Sequence, residues 1–256
     1  MRVTEAAILP QLLPALPAGA RLLSPGVVDH LVSFVVGGRT VGAATRRFDL
    51  LYAAARPFLR TLDRAEALRI LESHLERAVA EIAPRRLFVH AGVVGYRGRA
   101  ILVPGGSRSG KTRLVAALLE AGAEYYSDEY AVIDGTGRVH AFARPLDLEE
   151  PGGVRRKVQA RELGAAVGSR PLPLGLIAVT RYEPGARFRP VAESPGRTVL
   201  DLIAHTVMVR KRVRATLATL ESLVPAAARL KGVRGEAREA VPRLLAAVDR
   251  QCGWAG

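Results

Sequence analysis

Cysteine is almost missing from this chain: Cys252 is the only one in 256 residues. An internal disulfide framework is therefore excluded, and the composition suits a reducing compartment, which makes the cytoplasm the expected location. Aromatic residues amount to 5%. Few platforms exist for stacking bases and no nucleic-acid reader motif is present, so the formal net charge of +14 does not point to nucleic acid. Long uncharged apolar runs are also lacking. The most apolar stretch, 6–20, follows Glu5 and is broken by Pro10, Pro14 and Pro17, which spoils the helix of a signal peptide and reads as mature chain. No uncharged run reaches the length of a membrane span without prolines. Internal repeats and low-complexity segments are absent as well.

What the chain does have is 49% hydrophobic residues, enough at this length to bury a core. Of its 38 basic residues only Lys111, Lys157, Lys211 and Lys231 are lysines. Such a surface attracts phosphorylated ligands and acidic peptides without naming one. The chemistry is named by Gly105-Gly106-Ser107-Arg108-Ser109-Gly110-Lys111-Thr112, which fits the phosphate-loop pattern at every fixed position. Ala100 to Val103 ahead of it has strand character. The run from Leu114 to Ala121 behind it reads as a helix with Gly122 as its stop. Strand, turn and helix N-terminus together aim backbone N–H groups, and the helix dipole, at one anion. Residues 105–113, Arg113 included, are the expected nucleotide contacts. Lys111 reaches the terminal phosphates and Thr112 ligates Mg²⁺.

Elsewhere the periodicities predict an α/β chain. A hairpin is expected from 32–36 and 39–41 across Gly37-Gly38. An amphipathic helix is expected over 63–83, with Asp63 and Glu66 as a capping pair, Pro84 as its stop, and His74 solvated beside its polar face. Strands at 87–94 and 99–103 lead into the phosphate loop. A further strand, 124–129, ends in Asp128 and Glu129, and a hairpin pairs 130–133 with 138–142, where His140 reads as structural. Residues 143–175 read as a long irregular charged segment, a candidate lid carrying Glu149, Glu150, Arg155 and Arg156. A core strand is expected at 176–180. Helices are expected over 198–224, with a basic patch at Arg210, Lys211, Arg212 and Arg214, and over 236–249. The expected organisation is an N-terminal α/β region, 1–84, packed on a phosphate-loop domain, 85–256.

The acids after the loop helix narrow the chemistry. Asp128 and Glu129 end the next strand, where a carboxylate meets the Mg²⁺ held by Thr112. Adjacent side chains on an extended segment point to opposite sides, so one can hold the metal while the other takes a proton or orients water. With His90 lying 21 residues before Lys111 and Asp128 lying 17 after it, residues 85–150 resemble the C-terminal domain of HPr kinase/phosphorylase and its relatives.

That resemblance implies a phosphate-loop core of the HPr kinase/PEP carboxykinase-like type, a mixed central sheet flanked by helices. It implies a kinase using ATP and Mg²⁺ on a serine-type hydroxyl of a peptide, small protein or small metabolite. Glu129 takes the place of the general base, Asp128 that of the first acid and His90 a place near the γ-phosphate. Glu149 or Glu150 would aid the metal, and Arg155 or Arg156 the transition state. The chain departs from the family in having Asp-Glu rather than Asp-Asp, which leaves the choice of base between Asp128 and Glu129 open. It also departs in the loop after Glu149, which argues against HPr as acceptor and against phosphorolysis. A homo-oligomer is allowed by analogy, since HPr kinase forms hexamers. The competing reading is a nucleotide-dependent ATPase or regulator that engages a partner through its basic surface.

Overall fold

The computed structural model describes residues 1–17, 20–21, 23, 27–37, 47–83, 85–106, 109–149, 153–207, 209 and 212–254. It divides into two compact units, Met1–Ile82 and Ala83–Gly256.

In the first unit β1 (Arg2–Val3) is followed by a short helix α1 (Leu9–Leu12) flanked by 3₁₀ turns, then β2 (Val32–Val35), β3 (Asp49–Ala53), β4 (Arg56–Thr61) and α2 (Arg64–Ile82). The strands form one sheet in that order, with β1 parallel to β2 and the rest antiparallel. Ile8, Leu12, Val32, Phe34, Leu51, Ala67 and Leu71 form its core. The strand expected at 32–36 therefore pairs with β3, and the partner expected at 39–41 lies outside the described residues, as does Pro84. Asp63 does cap α2, accepting from the Ala65 N–H at 2.9 Å. Glu66 does not complete the box but accepts the Thr61 hydroxyl at 2.6 Å. His74 is not solvated: its ring stacks on Phe58 at 4.3 Å and on His30 at 5.8 Å, with Nε2 buried.

The second unit runs β5 (Arg86–Tyr96), β6 (Arg99–Pro104), α3 (Lys111–Glu120), β7 (Glu124–Ser127), β8 (Tyr130–Asp134), β9 (Arg138–His140), β10 (Leu146–Glu149), β11 (Arg155–Val158), β12 (Leu172–Tyr182), β13 (Val191–Ala192), α4 (Pro195–Ala204), α5 (Val213–Leu223), β14 (Ala228–Arg234) and α6 (Ala237–Gln251). The main sheet has the order β13-β14-β12-β6-β5-β8-β9, with β7 beside β5. Strand β6 is antiparallel to β5 and parallel to β12, which is parallel to β14. The start of β12 also pairs with β9, curling the sheet back on itself.

Strand alternation decides the two faces. Ile101 and Val103 meet α3 and α6 through Leu114, Leu118, Val241 and Leu244, while Ala100 and Leu102 meet α4 and α5 through Leu202, Leu220 and Leu223. Helices on both faces explain why the central strands read as continuous apolar runs rather than alternating ones. The chain is thus an α/β protein with a mixed sheet flanked by helices. Among the described residues no helix is long and apolar enough to cross a membrane.

Expectations for the second unit also need correction. The strand expected over 124–129 ends at Ser127, so Asp128 and Glu129 stand in the bend between β7 and β8 rather than on the strand. The helix expected over 198–224 is two helices, because the backbone between them is used for sheet edge pairing: His205 C=O accepts from His90 N–H at 2.7 Å and Val207 N–H donates to Phe88 C=O at 2.9 Å. Of the basic patch placed on it, Arg210 and Lys211 lie outside the described residues, and Arg212 donates to the Ala83 carbonyl at 2.9 Å. The segment 143–175 is not irregular throughout, since it forms the β10–β11 hairpin and a 3₁₀ turn at Ala160–Leu163. Strand β14 had no expected counterpart.

Candidate active site

The turn between β6 and α3 is anchored to β5. Gly105 N–H donates to the His90 C=O at 3.3 Å, and Ser109 N–H to the Gly106 C=O at 3.3 Å. Ser107 and Arg108, in the middle of the motif, lie outside the described residues. Gly110 adopts φ +80° and Lys111 begins the helix. The first intrahelical bond runs from Leu114 N–H to Gly110 C=O at 3.2 Å. The amides of Lys111, Thr112 and Arg113 therefore head the helix without intrahelical acceptors, at the positive end of its dipole. Close approach of α3 to β5 requires Gly92, where a Cβ would lie 2.4 Å from Val115 Cγ2 and 3.1 Å from Lys111 Cγ.

Three expected residues meet at one nitrogen. His90 Nε2 lies 3.1 Å from Lys111 Nζ and 3.1 Å from Glu129 Oε2. One ring nitrogen cannot accept from an ammonium and donate to a carboxylate at once, so the tautomer decides which contact is a hydrogen bond. Burial pushes the Glu129 carboxyl up, but the His90 hydrogen bond and the charges of Lys111, His90 and Arg144 outweigh it and hold the group below the usual range, ionised. Asp128 behaves oppositely. It is 5% exposed, and burial pushes it up to about 7 despite the opposing pull of Lys111 and the Thr112 hydroxyl. The two neighbouring carboxyls are thus driven apart, the usual basis for dividing acid and base roles. Asp128 Oδ1 is buried with no hydrogen-bond partner, an orphan that a cation would satisfy.

Above these groups opens a cavity of about 770 Å³. His90, Gly106, Ser109, Gly110, Lys111, Thr112, Arg113, Glu129, Glu149 and Arg155, all expected site residues, line it. Glu149 and Arg155 face each other across the β10–β11 ladder. The Glu149 carbonyl accepts from Arg113 Nη2 at 3.1 Å, and Arg155 pairs with Asp147 at 3.1 Å. Both members of that pair are well exposed, so it contributes little to stability. Among the described residues no group of three or more His, Cys, Asp or Glu side chains is arranged to hold a metal. Asp128 with Thr112 forms a two-residue set, which suits Mg²⁺, a cation that keeps several waters and leans on substrate phosphates.

No protein-family model matches the chain, and no curated protein sequence matches it.

Several cavity residues carried no sequence signal. Asp147, Tyr182, Arg234 and Glu236 line it, and His205 lies behind His90, its imidazole held below the usual range by burial and then by the charge of His90. Arg234 could have been suspected only from its position in Gly232-Val233-Arg234-Gly235, and glycines flanking an arginine are too common to single it out. Its role depends on β14 lying beside β12, a pairing of segments about fifty residues apart.

Proposed function

We propose that the chain is an ATP- and Mg²⁺-dependent kinase of the HPr-kinase-like type, transferring the γ-phosphoryl group to a serine-type hydroxyl of a peptide, small protein or small metabolite. The observation that carries the reading is the sharing of His90 Nε2 between Lys111 and Glu129 at the head of α3, beside a buried Asp128.

The cavity and the chain's charge suit a polyanion. The amides at the head of α3 and the Lys111 ammonium would bind the terminal phosphates. Asp128 and Thr112 would hold Mg²⁺, whose chemistry when bound is to neutralise charge on the phosphate oxygens. A phosphate that draws Lys111 toward itself removes the donor from His90 Nε2, leaving that nitrogen free to carry a proton and donate to Glu129. His90 then orients the Glu129 carboxylate. Glu129, ionised in the resting protein, accepts the proton of the acceptor hydroxyl as the new O–P bond forms and the bond from the γ-phosphorus to the bridging oxygen breaks, releasing ADP. The resemblance of residues 85–150 to the HPr kinase domain supports the same assignment, and the contact of Glu129 with His90, against the burial of Asp128, favours Glu129 as base. Arg155 and Glu149 stand on the hairpin bordering the cavity, where an acceptor would enter.

The test is transfer from γ-labelled ATP with Mg²⁺ to serine-bearing peptides, small proteins and hydroxylated metabolites, comparing wild type with Lys111→Ala. Label on an acceptor that disappears in the variant supports the kinase. Phosphate released only to water moves the reading to a nucleotide-dependent ATPase or regulator.

A further inference from the structure

Arg234 is 1% exposed and is among the largest fully buried side chains of the protein. Its Nη2 donates to the Gly110 carbonyl at 2.6 Å and its Nη1 to the Gly235 carbonyl at 3.1 Å. Its Nε is buried with no hydrogen-bond partner. Among the described residues no carboxylate forms an ion pair with it. Two neutral carbonyls leave three of the five guanidinium donors unused, and the charge faces the Glu236 carboxylate without an ion pair and the Tyr182 ring at 5.7 Å. A buried cation without an ion-pair partner is costly, and the protein keeps this one against the wall of the cavity above the head of α3.

The sheet order says which part of a ligand would meet it. Strand β6 delivers the phosphate loop, β5 lies on one side of it, and β12 followed by β14 lies on the other. His90 therefore approaches the head of α3 from the β5 side, with Glu129, and Arg234 approaches from the opposite side, at the carboxyl end of parallel strands where α/β sheets bind nucleotides. The group undergoing transfer belongs with His90 and Glu129. The phosphates left behind belong with Arg234.

Resting on the kinase reading, we propose that Arg234 is a binding residue for the α- and β-phosphates of the nucleotide, and that this diphosphate is the counter-ion of its buried charge. The carbonyl contacts hold the guanidinium ready, and it packs closely on Gly110, whose φ of +80° favours glycine and where a Cβ would lie 2.6 Å from Arg234 Nη2.

The experiment is calorimetric titration of the full chain with Mg·ADP, using wild type, Arg234→Lys and Arg234→Gln, with folding checked by circular dichroism. A second measurement follows the arginine Nε–H resonances of wild type during the same titration, the Arg234 signal being the one missing in Arg234→Lys. The expected result is ADP affinity lower by roughly 10–100-fold in Arg234→Gln and by less in Arg234→Lys, with the Arg234 Nε–H signal shifting as ADP binds. A folded Arg234→Gln that binds ADP as wild type does, or an Nε–H signal unmoved at saturation, overturns the proposal while leaving the nucleotide site standing. Wild type that binds neither ADP nor ATP overturns the kinase reading, and this inference with it.

Discussion

Lys111 Nζ and His90 Nε2 stand 3.1 Å apart, joining the first residue of α3 to the middle of β5. The contact ties the loop's lysine to the strand's histidine, and in the proposed mechanism a bound phosphate takes the two apart. Glu129, 3.1 Å from the same nitrogen, is held below the usual carboxylate range against burial by the His90 hydrogen bond and then by the charge of Lys111.

In the proposed mechanism His90 acts through Glu129 and sets its orientation. His90→Ala should lower kcat about 10²-fold, the scale of a misplaced reacting group, with nucleotide affinity changed little. His90→Gln, which keeps a hydrogen-bonding terminus, should recover part of that loss. Equal kcat in wild type and His90→Ala would remove the histidine from the mechanism.

The two acids should separate kinetically. Glu129→Gln should keep nucleotide binding and lose transfer by roughly 10²–10⁴-fold, as expected for a general base. Asp128→Asn should instead raise the Mg²⁺ concentration needed for half-maximal rate. Magnesium titrations of both variants in the transfer assay decide the matter, and the reverse pattern exchanges the two assignments.

Gly92→Ala should destabilise the second unit. The new methyl would stand 2.4 Å from Val115 Cγ2, a branched side chain fixed in the core, and overpacking of this kind costs about 1–3 kcal/mol. Thermal unfolding should show a midpoint several degrees lower. An unchanged midpoint would mean that α3 can withdraw from β5 at no cost.

Asp134 supplies a pH test away from the site. Partial burial pushes its carboxyl up, but bonds from the Thr136 hydroxyl, His140, and the Arg138 and Thr136 amides outweigh this and hold it well below its ordinary 3.8. The folded form thus prefers the carboxylate, so the stabilisation is complete above the unfolded value and is lost as pH falls below it. Asp134→Ala should be less stable than wild type by about 1–3 kcal/mol near pH 7, with the gap narrowing on acidification below 3.8. Denaturant midpoints of both proteins across pH 2.5–7 (roughly, the accessible range) measure it. A gap that widens in acid contradicts the assignment.

Much of the phosphate-loop side of the site was legible because its determinants are local. The order strand, glycine-rich turn, helix is written in consecutive residues, and α3 begins at Lys111 and ends at Glu120, beside the expected stop at Gly122. Strand β5 was recognisable for the same reason, and with it the position of His90. The helix expected over 63–83 appears as Arg64–Ile82, although Leu62 and Ile82, counted on its apolar face, are exposed. Periodicity gives a face, and it cannot say how far along the helix that face is covered.

What the sequence by itself determined is the glycine-rich turn between β6 and α3 and the lysine that opens the helix, because backbone conformation and short-range spacing are properties of neighbouring residues. Only the tertiary structure decided the company that turn keeps. The break between α4 and α5 exists because β5 takes the backbone at His205 and Val207 as an edge partner, and no helical periodicity records that competition. Arg234 lies 124 residues from the carbonyl it holds, and it arrives there through the register of β14 on β12 and of β12 on β6. Register is fixed by pairing across the sheet, so a charge at the end of a late strand becomes part of the first half's site only when the sheet closes around both.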